Sequence, residues 1–282
     1  MATTRTKKKK KKAKILLSPF RYPGGKSWLK EIIRQWLTPP VSQLVEVFAG
    51  GANVTIAALE SNCISRATLI EIDPDVSAVW SIVLNGEIDW LSRKIRDFRV
   101  TRKSVTNELE RSVTTLRERA WLTLLRNRVS HGGIMAAGSG ILKRGEDDHG
   151  LKSRWYPKTL RDRIKRINSF GGKVTLVQAD ALQWLEKAGS ENNQEAIAYF
   201  IDPPYATAGK RLYTYGEIDH ANLFKLASKL KGKVLMTYED TKEVRQLAQN
   251  HGFEVREVDM RSRHHRAKVE LLIARDFSWL KL

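Results

Sequence analysis

The segment Asp202-Pro203-Pro204-Tyr205 constrains the fold of this chain more than any other feature. It follows an apolar run at residues 196–201 that is typical of a buried strand. The Asp202 carboxylate is therefore predicted to emerge at the carboxyl end of that strand, where open α/β sheets place their ligands. Each proline fixes φ near about −65°, and Pro203 offers a carbonyl but no N–H. The sequence predicts a rigid turn that presents a carboxylate, a carbonyl and an aromatic ring to one small volume.

Such a turn suits a planar base whose exocyclic amino group is held by acceptors. The nitrogen of such a group is a poor nucleophile because its lone pair is delocalised into the ring. Acceptors at Asp202 and at the Pro203 carbonyl would favour a more pyramidal nitrogen as charge develops. Tyr205 could stack on the base, a contact worth about 1–3 kcal/mol in nucleic-acid sites. The alternative interpretation is a proline-kinked strand end with a solvated aspartate.

Two further apolar runs also end in acids. Residues 68–73 lead into Glu71, about 20 residues after the glycine pair Gly50-Gly51, and residues 174–180 end in Asp180. Glycines between a strand and a helix let the backbone approach a ligand, and an acid at this distance suits a pair of ribose hydroxyls. Three strands that each end in a carboxylate are difficult to explain by packing alone.

The alternation of strand and helix patterns predicts an α/β fold, a Rossmann-like, doubly wound, mostly parallel sheet with a reversed strand near its end. We expect a disordered basic tail at residues 1–14, a catalytic domain at 15–80 and 171–282, and a helical and loop insertion at 81–170. Strands are expected near residues 43–48, 67–72, 174–178, 196–202, 233–237, 253–259 and 268–274. Within the insertion, an apolar helix face is predicted to contain Leu116, Ala120, Leu124 and Leu125.

The positive charge of the chain is concentrated in two places. The net charge is +19 over 282 residues, of which the tail carries +8 and residues 93–166 carry +12. Charge confined to one insertion is typical of a surface that binds a polyanion, although a solvated helical surface is the simpler alternative. The run Lys7–Lys12 is expected to be disordered, and we interpret it as a non-specific tether.

In these motifs and their order, roughly residues 18–275 resemble the Dam-type DNA adenine methyltransferases, and phage and prophage members in particular. The segment Arg21-Tyr22-Pro23-Gly24-Gly25-Lys26 resembles the family's amino-terminal cofactor motif, residues 48–51 its glycine motif, and residues 202–205 its catalytic motif. The stretch at residues 126–133 and Trp155 are similar to segments of the phage members. This chain differs at Ala52, where the family usually has a second glycine, and at Val47, where a proline is common.

The resemblance implies transfer of a methyl group from S-adenosylmethionine to N6 of a flipped-out adenine in DNA, leaving S-adenosylhomocysteine and using no metal. It implies catalysis by residues 202–205, with Asp202 also beside the cofactor. It assigns Tyr22 and Lys26 to the donor's amino-acid end, Phe48 and Gly50 to the pocket wall, Glu71 to the ribose and Asp180 to the adenine. In the basic insertion, the side chains expected to contact DNA are Arg126, Arg128, Arg161, Arg163 and Lys165.

Two other functions stay open from the sequence. One is a methyltransferase acting on cytosine N4 or on RNA, and the other is a DNA-binding relative whose cofactor site is weakened by Ala52. A single cysteine, Cys63, favours a reducing compartment, and no apolar run approaches the roughly 20 residues that span a bilayer. We therefore expect a cytoplasmic, nucleoid-associated protein of bacterial or phage origin, with DNA as partner. A monomer is expected, with a transient dimer as the alternative.

Overall fold

The centre of the computed structural model is a sheet built from the predicted apolar runs. The structure describes residues 18–21, 25–39, 41–135, 139–143, 150–190, 196–205, 214–261 and 267–281. Within these residues the sheet has seven strands: β1 (Gln43–Val47), β2 (Arg66–Glu71), β3 (Val174–Gln178), β4 (Ile197–Ile201), β5 (Lys233–Glu239), β6 (Glu254–Arg261) and β7 (Ala267–Ala274).

The strand order is β3-β2-β1-β4-β5-β7-β6. Strands β1 to β5 are parallel to one another where they pair, whereas β7 is antiparallel to both β5 and β6. The predicted doubly wound, mostly parallel sheet with one reversed strand near its end is confirmed. The chain moves outward from β1 through β2 to β3 and then returns to the other side of β1 as β4. This reversal opens a crevice at the carboxyl ends of β1 and β4, where such sheets bind ligands.

Ten α-helices connect or extend the strands in the described part of the chain. They are α1 (Lys30–Trp36), α2 (Asn53–Glu60), α3 (Pro74–Leu84), α4 (Ile88–Asp97), α5 (Arg102–Leu109), α6 (Leu116–Val129), α7 (Pro157–Asn168), α8 (Ala181–Gly189), α9 (His220–Lys229) and α10 (Lys242–Asn250). The predicted insertion supplies α4 to α7. Helix α3 runs through position 81, where the insertion was expected to begin, so a continuous helix joins it to the sheet.

Alternation along the strands divides the apolar residues between the two faces of the sheet. Leu44, Phe200, Leu235 and Leu272 pack in the core beneath α1 and α2. Their neighbours Val45, Tyr199, Met236 and Ile273 pack in the core beneath α8 to α10. Because successive side chains of a strand point to opposite faces, a residue two positions from Leu44, Phe200, Leu235 or Leu272 lies on the α1 side. This rule places several polar residues of the site on one face.

The insertion shares an apolar core with α3, and this core extends to Leu69 of β2. Trp80 of α3, Trp121 of α6 and Trp155 are buried in it. Helix α6 begins with a capping box in which Thr115 and Glu118 exchange side-chain and backbone hydrogen bonds. Ala120, Leu124 and Leu125 are buried as predicted, but Leu116 in the first turn is 49% exposed. The predicted face of α6 is therefore buried except at its first residue.

Candidate active site

A cavity of about 410 Å³ lies at the carboxyl edge of the sheet. Residues that follow four different strands line it: Phe48 and Gly50 after β1, Glu71 at the end of β2, Asp180 after β3, and Asp202 after β4. This volume lies within the range of about 300–1,000 Å³ typical of small-molecule and cofactor sites. The structure thus brings together the side chains that the sequence analysis selected from four separate motifs.

The turn between β1 and α2 has an unusual backbone. Phe48, Gly50 and Ala52 have φ angles of 60°, 45° and 46°. The Gly50 N–H donates to Glu71 Oε2 at 2.8 Å, and the Trp80 indole donates to the Gly50 carbonyl at 2.8 Å. A left-handed conformation costs a non-glycine residue roughly 1–2 kcal/mol. At Ala52, where the family usually has glycine, this cost is borne by a residue that is only 1% exposed and firmly packed.

Glu71 connects the ends of β1 and β2. It accepts hydrogen bonds from the Gly50 N–H and, at 2.9 Å through Oε1, from the Asp73 N–H. Burial raises the pKa of the Glu71 carboxyl to about 7, against the opposing effect of these two backbone donors. The carboxyl therefore titrates near neutral pH, and one face of it borders the cavity.

Asp180 occupies the equivalent position after β3. Its Oδ1 accepts from the Gln183 N–H at 2.9 Å, which makes it the N-terminal cap of α8. The cap fixes the carboxylate at the helix N-terminus, and the residue also lines the cavity. Asp180 therefore has both a structural contact and access to a ligand.

Asp202 is held through one of its two oxygens. Oδ1 accepts from the Thr237 hydroxyl at 2.7 Å and from the Lys26 ammonium at 2.9 Å. Among the described residues, none donates to Oδ2. The Asp202 side chain is 25% exposed and borders the cavity together with Pro204, whereas Pro203 is buried. The carboxylate is thus anchored on one side and available as an acceptor on the other.

Lys26 lies at the centre of a buried polar cluster. Its ammonium is 2.9 Å from Asp202 Oδ1, 2.9 Å from Glu270 Oε1 and 3.1 Å from the Tyr205 hydroxyl. The Tyr205 hydroxyl in turn donates to Glu270. Burial would lower the pKa of Lys26, but the carboxylates of Asp202 and Glu270 outweigh it and raise that pKa. The side chain is therefore a charged ammonium between two carboxylates.

Glu46 is a further buried acid on the cavity wall. It is 4% exposed, and its Oε2 accepts from the Thr55 N–H at 2.7 Å in the first turn of α2. Burial raises the pKa of Glu46 to about 7. It lies on the α1 and α2 face because it is two positions from Leu44.

Sequence analysis did not select Glu46, Thr237 or Glu270. Two of them carry a signal that could have been used, since Glu46 and Glu270 are single acids inside apolar strands (Leu44–Val47 and Val269–Ile273). A charge at such a position requires a specific partner. Thr237 carries no such signal, because threonine is common in strands.

The structure separates the five basic residues that were predicted to contact DNA. Lys165 on α7 is exposed, and Arg161 on α7 and Arg126 on α6 are partly exposed. Arg163 is half-buried, with its guanidinium 3.5 Å from the Ser18 carbonyl. Arg128 is only 4% exposed and donates to the Pro19 carbonyl.

Arg128 has the position of a structural residue. Burial, together with the nearby charges of Arg163, Arg21 and Arg154, lowers the pKa of Arg128 to about 9. In this geometry its guanidinium holds the segment at residues 18–20 against α6 and is not presented on the surface. Tyr22, predicted to contact the cofactor, lies outside the described residues, as does the lysine run of the tail.

Among the described residues, no group of three or more His, Cys, Asp or Glu side chains is arranged to hold a metal ion. In the same part of the chain, no helix combines the length and the apolar composition needed to cross a bilayer.

The sheet order, with its reversed strand, and the cavity at the carboxyl edge define the α/β methyltransferase fold. The model of the D12 class N6 adenine-specific DNA methyltransferase family matches residues 22–263. The chain belongs to this family, which confirms the resemblance at the level of the family, whereas the particular likeness to phage and prophage members stays a prediction. Members are adenine-specific DNA methyltransferases, so the predicted enzyme class is confirmed as well.

Two of the solved structures that this chain resembles are described as RNA methyltransferases. The rRNA methyltransferase AviRa from Streptomyces viridochromogenes has 13% identity and a TM-score of 0.42, with 94% of this chain and 91% of that chain covered. A putative RNA methyltransferase from Pyrococcus horikoshii has 12% identity and a TM-score of 0.39, covering 94% and 89%. Likenesses this distant carry no conclusion about substrate. A search of curated proteins finds no match to this sequence.

Proposed function

We propose that the cavity binds S-adenosylmethionine and that Asp202 holds the N6 amino group of an adenine that has been flipped out of the DNA helix. One observation supports the proposal above all others. Asp202 Oδ1 is occupied by Thr237 and Lys26, whereas Oδ2 receives no hydrogen bond from the described residues and the side chain borders the cavity. The enzyme therefore has a fixed, unoccupied acceptor beside a cofactor-sized space.

The residues on the β1 to β3 side of the cavity fit the nucleoside part of the cofactor. An acid at the end of β2 is the group that holds ribose hydroxyls in doubly wound sheets, and Glu71 stands there. Gly50, at a left-handed position of the turn after β1, has no side chain and lets the backbone approach a ligand closely, and Asp180 offers an acceptor for an adenine amine. When bound, S-adenosylmethionine supplies an electrophilic methyl group on a sulfonium.

The residues after β4 fit the base that receives the methyl group. Asp202 Oδ2 and the Pro203 carbonyl would accept from the two N–H groups of the amine, which aligns its lone pair and stabilises charge as it develops. Oδ2 can also accept the proton that the amine loses. Tyr205 offers its ring as a stacking surface. An enzyme that acts on a base inside a duplex must extrude that base, at a cost of a few kcal/mol.

Lys26 takes part in this arrangement differently from the prediction. It was assigned to the amino-acid end of the cofactor, but its ammonium contacts Asp202, Glu270 and Tyr205. It also lines the cavity beside Gly25, so a second contact with the cofactor stays a prediction. The contacts in the structure support a role on the acceptor side.

The DNA-binding surface would lie on α6 and α7 of the basic insertion. Arg126, Arg161, Arg163 and Lys165 are all at least partly exposed, and Arg161 and Lys165 lie one helical turn apart on α7. Side chains three or four apart share a helix face, so these two can contact one phosphate backbone. A monomeric enzyme at the bacterial nucleoid is the corresponding cellular prediction.

The test is product analysis. Unmodified DNA is incubated with the purified protein and S-adenosylmethionine, digested to nucleosides and analysed by mass spectrometry. We expect N6-methyladenine from the parent and from Asp240→Ala, a control aspartate after β5. Asp202→Ala should lower the rate by about 10²–10³, as removal of one preorganised polar group does. Methylated cytosine, methylation of RNA alone, or full activity of Asp202→Ala would contradict the proposal.

A further inference from the structure

Glu270 is a buried carboxylate that the proposed reaction does not explain. It lies in the middle of an apolar run on β7 and is 2% exposed. Burying a carboxylate is costly unless it is paired and hydrogen-bonded. Oε1 contacts the Lys26 ammonium at 2.9 Å and the Tyr205 hydroxyl, whereas the buried Oε2 has no hydrogen-bond partner among the described residues. An apolar residue would serve packing at this position better than a half-satisfied acid.

The position of Glu270 follows from the reversal of β7. In a parallel strand, the residues near the active-site edge come at the carboxyl end, but β7 is antiparallel and presents its first half to that edge. Glu270 pairs with Glu239, the last residue of β5, and Thr237 pairs with Leu272. Because Glu270 and Leu272 differ by two positions, Glu270 lies on the α1 face, with Lys26.

The cluster contains one cation and two carboxylates. An ammonium has three N–H donors, and three acceptors lie within 3.1 Å of Lys26: Asp202, Glu270 and the Tyr205 hydroxyl. If Glu270 were neutral, the full charge of Lys26 would be directed at Asp202. The ammonium could then approach Asp202 Oδ2, the oxygen that is to accept the amine. The Tyr205 hydroxyl would then donate to a neutral oxygen, which is a weaker acceptor than a carboxylate.

We propose that Glu270 is a positioning residue for methyl transfer: it holds Lys26 and the Tyr205 hydroxyl so that Asp202 Oδ2 stays open to the target amine and the Tyr205 ring stays at the base. The inference rests on the function proposed above for Asp202. It adds a residue from the reversed strand, which acts through two neighbours and does not itself touch either substrate.

The experiment is a double-mutant cycle between Glu270→Gln and Lys26→Gln. For each protein we would measure kcat and KM for DNA methylation, S-adenosylmethionine affinity by calorimetry, and the thermal midpoint. Glu257→Gln, on the neighbouring strand β6 with a surface ion pair to Arg245, is the matched control for the loss of one negative charge. It should behave as the parent.

Glu270→Gln should lower kcat by about 10²-fold, the effect of a misplaced catalytic group, with KM and cofactor affinity within about threefold of the parent. In the Lys26→Gln background, the same change should cost less than about threefold, because residues that act through one another are not additive. A purely structural Glu270 would instead give losses that multiply. Multiplying losses, or a kcat of Glu270→Gln within twofold of the parent, would overturn the inference.

If Glu270→Gln does not fold, Glu270→Asp replaces it, because this variant keeps the charge and moves the carboxylate away from Lys26 and Tyr205. Its kcat should still fall while the cofactor affinity is unchanged. An unaltered kcat would overturn the inference. If the parent transfers no methyl group to DNA of any sequence, the proposed function itself fails, and the role of Glu270 fails with it. If the parent is active and the Glu270 variants have an unaltered kcat, only the inference about Glu270 fails.

Discussion

Asn127 of α6 binds Arg21 through both backbone groups of that residue. The Asn127 side-chain amide donates to the Arg21 carbonyl at 3.0 Å and accepts from the Arg21 N–H at 2.8 Å. It also donates to the Gly133 carbonyl at 2.8 Å, and it is fully buried. A helix of the insertion thus fixes the segment that leads, five residues later, to Lys26 in the active site.

Replacement of Asn127 by Leu should destabilise the protein. The change removes two hydrogen bonds to the backbone of Arg21 and one to the buried Gly133 carbonyl, and a buried group left unsatisfied costs about 1–3 kcal/mol. We expect the free energy of unfolding to fall by roughly 3 kcal/mol or more, measured by urea denaturation. Asn107→Leu, at an exposed position of α5, is the control. Equal stability of the two variants would show that the Asn127 contacts contribute little.

Glu71→Gln should weaken cofactor binding. The amide keeps the shape of the carboxylate, but its single oxygen can accept from only one of the Gly50 and Asp73 N–H groups, and it loses the charge-assisted bonds to a ribose, which are worth about 1.5–3 kcal/mol. We expect the Kd for S-adenosylmethionine to rise about tenfold or more in calorimetry, with cofactor-free DNA binding unchanged. Glu186→Gln, an exposed acid on α8, controls for charge. Unchanged affinity of Glu71→Gln would exclude the ribose role.

Neutralising Arg161 and Lys165 together should weaken DNA binding to all sequences alike. Each phosphate contact contributes about −0.9 to the slope of log affinity against log salt concentration, so the slope of the Arg161→Gln, Lys165→Gln variant should become shallower by up to about 2. Lys187→Gln with Lys229→Gln, on α8 and α9, makes the same change of charge elsewhere. An equally shallower slope in that control, or an unchanged slope in the test variant, would show that α7 is not the DNA-binding surface.

The stability of the protein should depend on pH through Glu46. Its pKa is about 7 in the folded protein against an ordinary 4.5, so its contribution is fully present below about pH 4.5 and is lost as the pH rises through about 7. Glu46→Gln does not titrate and keeps an acceptor for the Thr55 N–H. Relative to the parent, the variant should therefore gain roughly 1–3 kcal/mol of unfolding free energy between pH 5 and pH 8. An equal difference at both pH values would contradict the assignment.

The sequence alone determined the positions of the strands, their mostly parallel direction with one reversed strand near the end, and the motif residues of the cavity. These features are local, because alternation of apolar residues, glycine turns and the two prolines set the backbone conformation of only a few neighbouring residues. Strands near residues 174–178 and 233–237 were predicted within a few residues of β3 and β5. Parallel strands end at one edge, so it also followed that Glu71, Asp180 and Asp202 would meet there.

Only the tertiary structure decided which other side chains join them. Glu270 reaches Lys26 because the pairing of the reversed strand β7 with β5 sets which of its residues face α1, and this register is not encoded in a local pattern. The burial of Arg128 also depends on long-range packing. Net charge predicted a basic insertion, but the packing of residues 18–20 on α6 turns this arginine inward, whereas Lys165 stays at the surface. Composition gives the sum of the charges, and long-range packing decides which of them water and DNA can reach.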